Sequence, residues 1–194
     1  MPQPQPLKDR VTSPLRLLLV GINPGVRSAA IGHHFAGYSN RFWKLLYESG
    51  LVPERLSAED DVRLPEWGYG VTNLIPRCTP GIDTLRAEEY GEGLRTLRRK
   101  VRRWRPDVVA LLGVTLFRTV FPPRHEGAEG VRRSRARVAL GLQPERFEGA
   151  RVFVLPNPSG RNANYSYAEM LNAFRALRRH LRVGASGSKP LAHR

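Results

Sequence analysis

Three apolar runs limit this chain to few architectures: "LRLLLV" over residues 15–20, "DVVALL" over 107–112 and "VFVL" over 152–155. None alternates apolar with polar residues, so each reads as a strand covered on both faces. A further strand is expected over Tyr69–Leu74. Helical patterns lie between them. Asn40–Ser49 predicts a helix with Ser39 as cap and Gly50 as stop. Arg86–Arg103 carries Tyr90, Leu94, Leu97 and Val101, with Trp104 just beyond, on one apolar stripe, and Pro106 ends it. A short helix is expected over Val114–Val120. A last one over Tyr167–Leu181 buries Met170, Leu171, Phe174, Leu177 and Leu181. Strands alternating with helices need parallel crossovers, which predicts a layered α/β fold. Residues 21–38 read as a long loop, and residues 122–137 as a mobile basic loop.

Length and composition narrow the setting. At 194 residues the chain suits one domain, expected over residues 13–183, with polar tails at 1–12 and 184–194. No apolar stretch reaches the ~18 residues of a membrane span, and the first residues lack the apolar core of a secretory signal. The single cysteine, Cys78, excludes a disulfide framework within the chain and is expected to be buried or half-buried. A cytoplasmic protein without a membrane partner follows as the expectation, and a monomer is the simplest form. Lys and Arg number 32 against 17 acids, a net charge of +15. Arg dominates, and its planar fork suits phosphate oxygens. Nucleic acid is therefore the expected partner ahead of a merely solubilising surface. The stretch "RTLRRKVRRWR" alone carries seven bases and no acid, some of them suited to a helix C-terminus.

Two Asn-Pro steps leave predicted strands at the same edge: "GINPG" at 21–25 and "NPSGRNANYSY" at 157–167. In layered α/β folds ligands collect outside the carboxyl ends of the strands, where the strand order reverses. The first motif is neither a dinucleotide fingerprint nor a P-loop. Taken alone, its Asn23 either forms a turn or holds a substrate, and Phe35 reads as a core aromatic.

The run "LLLVGINPG", then "FAGYSNRFWKLLYESGL", then "VLPNPSG" resembles the mismatch-specific uracil-DNA and thymine-DNA glycosylase branch of the uracil-DNA glycosylase superfamily. The likeness covers roughly residues 15–182. It implies a three-layer α/β/α sandwich around a short, mainly parallel sheet of about four strands. It also implies a DNA repair enzyme that flips uracil, and related pyrimidines in G:U or G:T mismatches, from double-stranded DNA. Such an enzyme hydrolyses the N-glycosidic bond and leaves an abasic site without metal or cofactor. The family's catalytic Asn falls on Asn23, where it positions a water. The stacking platform falls on Phe35, and the second-motif Asn near the base on Asn157. Ile22, Pro24 and Gly25 line the base pocket. Ser159, Gly160, Arg161 and Asn162 belong to the loop that approaches the minor groove. Lacking Asp in the first motif, the chain is expected to be slower than relatives that have it.

Two departures bear on specificity. Gly25 stands where uracil-selective relatives carry an aromatic residue that excludes a C5 methyl, so wider bases are expected to enter. Arg161 stands where the bacterial mismatch branch has an apolar wedge, and either insertion into the duplex or a phosphate contact is open to it. Asp83 reads as a surface or capping acid, with an additional catalytic carboxylate as the alternative. His33 and His34 lack a third ligand at metal spacing and are expected at the surface. Phe42 and Trp43 are expected to pack. Two other functions compete: a noncatalytic nucleic-acid-binding α/β module that senses a flipped base, and a hydrolase of free nucleosides. Only a glycosylase turns a uracil oligonucleotide into an alkali-labile product.

Overall fold

The computed structural model describes residues 6–122 and 138–185. The basic loop expected over 122–137 therefore falls, apart from its first residue, outside the described residues. Five strands, β1 (Leu17–Gly21), β2 (Tyr69–Asn73), β3 (Val108–Leu112), β4 (Gly141–Phe147) and β5 (Ala150–Leu155), form one sheet in the order β2-β1-β3-β5-β4. The pairs β1–β2, β1–β3 and β3–β5 are parallel; β4 runs antiparallel to β5 at the edge.

The apolar runs are continuous because successive residues serve two separate cores. Leu17, Leu19, Val71, Val108, Ala110, Leu112, Phe153 and Leu155 pack on one face, against helices α2 (Phe42–Glu48) and α5 (Tyr167–Ala185). Leu18, Val20, Val109, Leu111, Val152 and Val154 pack on the other, against α3 (Ala87–Trp104) and α4 (Val114–Val120). Each fully buried Leu or Val stabilises the fold by roughly 1.5–3 kcal/mol. The stripe on α3 lies as expected, with Leu97 and Val101 fully covered and Tyr90, Leu94 and Trp104 at its margin. Gly93 brings α3 against the exit of β2: a Cβ there would stand 2.5 Å from the Leu74 carbonyl oxygen.

Several expectations need correction. The sheet has five strands, not about four. The missed β4, "GLQPERF", is an edge strand with Pro144 inside a register shift between Leu142 and Arg146, so it lacks both a long apolar run and strict alternation. The expected loop 21–38 holds a helix, α1 (Val26–Ile31). Ser39 is not the cap of α2; Arg41 occupies that position, and the Asn40 side chain accepts from the Phe42 N–H at 2.9 Å. Arg10, expected in the polar tail, forms an antiparallel bridge with Val71. A ten-residue 3₁₀ segment, Ala58–Trp67, precedes β2.

Candidate active site

The chain passes from β1 to β2 on one side and then to β3 on the other, so the strand order reverses beside β1. A cavity of about 490 Å³ opens there, at the carboxyl ends of the strands. Ile22, Asn23, Pro24 and Gly25 line it from the exit of β1, and Asn157, Ser159, Gly160, Arg161 and Asn162 from the exit of β5. Phe35 lines it as well, and Asp83 sits exposed at the rim on a short 3₁₀ turn. The tertiary fold thus gathers every site residue named from sequence around one space. It adds Asn73 and Thr79, which sequence reasoning did not single out, and His34, which it placed at the surface.

Hydrogen bonds decide which way the asparagines face. Asn23 Nδ2 donates to Thr79 Oγ1 at 2.8 Å, and the Pro24 and Arg77 carbonyl oxygens stand at 3.2 and 3.3 Å. Thr79 has one hydroxyl proton and gives it to the Gly81 carbonyl oxygen. Toward Asn23 it can only accept. The amide nitrogen is held in a nest of acceptors, leaving Oδ1 to accept a hydrogen bond from another group, such as a water. Asn157 is set the opposite way: its Oδ1 accepts from the Ser159 N–H at 3.0 Å, which leaves Nδ2 as a donor. Asn162 Nδ2 in turn donates to the Asn157 carbonyl oxygen at 2.8 Å, so the loop is held by its own side chains.

Phe35 sits at φ 54°, in the left-handed region, and its ring stacks on Phe42 with centroids 3.9 Å apart. A bulky residue holds that conformation only where its surroundings impose it. The flanking peptides are pinned: the His34 N–H donates to Asp61 Oδ2, and the Ala36 N–H to Ser28 Oγ, each at 2.9 Å. Trp43 Nε1 donates to the His34 carbonyl oxygen at 3.2 Å. Asp61 is fully buried in the 3₁₀ segment and also pairs with Arg10 and His33, each at 3.0 Å. Phe42 and Trp43 pack, as expected, but as the foundation of the site.

His34 overturns the expectation of a surface histidine; it is buried. Its Nε2 lies 3.1 Å from the Lys8 carbonyl oxygen and so carries the proton, while Nδ1 lies 3.3 Å from Asn73 Nδ2. A bare Nδ1 accepts from that amide and leaves Asn73 Oδ1 free, beside Gly21, where a Cβ would stand 2.7 Å away. Burial above all lowers the His34 pKa, against the opposing pull of the Lys8 carbonyl and Asp61. The folded protein therefore binds this proton less readily than the unfolded chain, whose histidine titrates near 6.5. The stability His34 contributes is fully present above that pH and is lost as pH falls through the folded-state value. Denaturant titrations at pH 7.5 and 5.5 are expected to show a loss on acidification that shrinks in His34→Gln, which offers an amide donor and acceptor without titrating. Some loss remains, because burial also lowers the His180 pKa. An identical loss in both proteins removes His34 from this role.

Arg161 reaches across the mouth, its Nη1 donating to the Pro80 carbonyl oxygen at 2.8 Å. Behind it Gly160 packs so tightly on Ser39 that a Cβ would lie 2.4 Å from the Ser39 Cβ. The Arg41 N–H donates to the Pro158 carbonyl oxygen at 2.9 Å and ties the same loop to the start of α2.

Residues 9–182 match the family model of the uracil DNA glycosylase superfamily. The chain belongs to the uracil-DNA glycosylase superfamily. A G/U mismatch-specific uracil DNA glycosylase from Schizosaccharomyces pombe is 36% identical over 175 residues, 84% of this chain and 53% of that protein. The chain thus spans about half the length of that curated relative. The solution NMR structure of a candidate uracil DNA glycosylase from Methanosarcina acetivorans shares the fold at TM-score 0.58 and 15% identity, covering 92% of this chain and 98% of that one. In this chain the cavity sits at the carboxyl edge of a mostly parallel sheet between two helical layers.

Proposed function

We propose that the protein hydrolyses the N-glycosidic bond of uracil in DNA, leaving an abasic site, with a flipped base held in the cavity between Asn23 and Asn157. The observation that carries the reading is the opposed orientation of those two amides beside the exposed face of Phe35. The base stacks on Phe35. Asn73 Oδ1 accepts from the uracil N3–H, which cytosine lacks. As the bond from C1′ to the ring nitrogen breaks, its electron pair passes to the base, and charge spreads onto the carbonyl oxygens. Asn157 Nδ2 and the backbone N–H groups around Ile22 stabilise that charge. A water held by Asn23 Oδ1 adds to the nearly cationic C1′ and loses its proton to solvent. No proton transfer is assigned to the exposed Asp83.

Single-turnover assays on G:U, A:U and single-stranded substrates test this reading. Alkali-labile product is expected from the wild type, and cleavage of free nucleosides instead, or no cleavage at all, would overturn it. Arg161→Ala is expected to lower the duplex rates most, because its guanidinium already lies at the mouth where DNA enters. Equal losses on all three substrates would count against an inserted Arg161.

Gly25 has an ordinary φ of −74°, and a Cβ there would meet nothing within 4 Å. The space supports a base spectrum that includes C5-substituted pyrimidines. Gly25→Tyr is expected to cut activity on a C5-methylated base by roughly 10–100-fold relative to uracil. Parallel losses on both bases, measured in one assay, would refute the steric assignment.

A further inference from the structure

We propose that the groove between α5 and the turn after α2 is a second site for the DNA phosphate backbone, on the rim of the sheet away from the base cavity. The groove encloses about 940 Å³. One wall is a single face of α5, where Arg175, Arg178, Arg179 and Arg182 follow the helical spacing. These four span about 10 Å of helix axis, the rise of about three successive phosphates on one strand. Among the described residues one carboxylate lines the groove, Glu48, which already accepts from the Tyr167 hydroxyl at 2.7 Å and faces Lys44 at 3.7 Å. Among the described residues no ion pair involves Arg175, Arg178 or Arg179.

Arg178 has a structural role. Its guanidinium lies where a Cβ on Gly50 would meet it at 2.9 Å, against the negative end of α2. Arg175 and Arg179 are exposed. Like charges one helical turn apart repel, which costs stability until a polyanion screens them. The guanidinium fork matches phosphate oxygens and favours a nucleic-acid backbone over an acidic peptide.

The location makes this a second segment of DNA. Helix α5 starts beside the cavity loop and runs back along the sheet. Near its far end the Leu181 carbonyl oxygen accepts from Arg16, just before β1 begins, at 3.4 Å. The cavity lies at the other end of that strand, roughly 16 Å away at ~3.3 Å per residue. A duplex with its base in the cavity occupies the opposite rim.

The inference goes beyond the glycosylase reading and is tested separately from it. Sedimentation of the full chain with a short uracil-free duplex at low salt is expected to show two duplexes per wild-type protein. The double variant Arg175→Glu, Arg179→Glu should bind one, and Arg175→Lys with Arg179→Lys should still bind two. Single-turnover cleavage of a short uracil duplex should change less than about twofold in the charge-reversed variant, since neither residue lines the cavity. One duplex on the wild type, or two on the charge-reversed variant, overturns the proposal. So does polyglutamate binding that is lost on charge reversal while the wild type takes one duplex. Two bound duplexes without cleavage would support the groove and sink the proposed reaction.

Discussion

Asn23→Ala is expected to lower single-turnover cleavage of a uracil-containing duplex by about a hundredfold or more, with the fold intact. The magnitude is that of losing a positioned reactant. Removing the side chain deletes the Oδ1 acceptor and releases Thr79 from the contact that holds the amide. Asn23→Asp is not expected to recover the loss. It would place a carboxylate oxygen among Thr79 Oγ1 and two carbonyl oxygens, while the Thr79 proton is engaged by Gly81. That repulsion works against any gain a carboxylate would bring at this position. Asp83→Asn, measured alongside, should keep the wild-type rate. Undiminished cleavage by Asn23→Ala would remove the assignment, and a rate for Asn23→Asp above wild type would show that Thr79 turns its hydroxyl.

Asp61→Ala should produce the largest stability loss of any single site-loop substitution, on the order of 3–5 kcal/mol. Its carboxylate is fully buried, and removing it takes the shared acceptor from the Arg10 guanidinium, the His33 ring and the His34 N–H, leaving Arg10 only the Gly32 carbonyl oxygen. Arg10 and His33 retain some solvent access, which places the loss toward the lower end. Thermal unfolding should shift down by on the order of 10 °C. Asp61→Asn, which can still accept from the His34 N–H, should lose less. With His34 released, the left-handed Phe35 loses one of its two pinned neighbours, so substrate affinity should fall as well. A melting temperature within about a degree of wild type would show that Asp61 holds nothing.

Much of the scaffold could be read from one dimension because its signals are local. The α3 stripe and the continuous runs of β1, β3 and β5 each record a burial pattern within a few residues. β4 could not be read that way, since an edge strand broken by Pro144 owes its place to its partner β5. Helix α1 is short, with no acid in its first turn and no side-chain cap, so nothing in its own sequence announces it. The Ala58–Trp67 segment mattered for the same reason that it was missed: Asp61 looks like one of three successive acids in a polar stretch, and only its burial makes it a hub.

Sequence by itself determined the class of scaffold and the identity of the groups that leave its strands, because those depend on which residues neighbour each other along the chain. Tertiary structure decided how the groups face. The direction of the Asn23 amide rests on Thr79, 56 residues away, and that of Asn73 on a histidine whose proton is held by the Lys8 carbonyl. An amide has a donor end and an acceptor end, and only long-range hydrogen bonds choose which one meets the substrate.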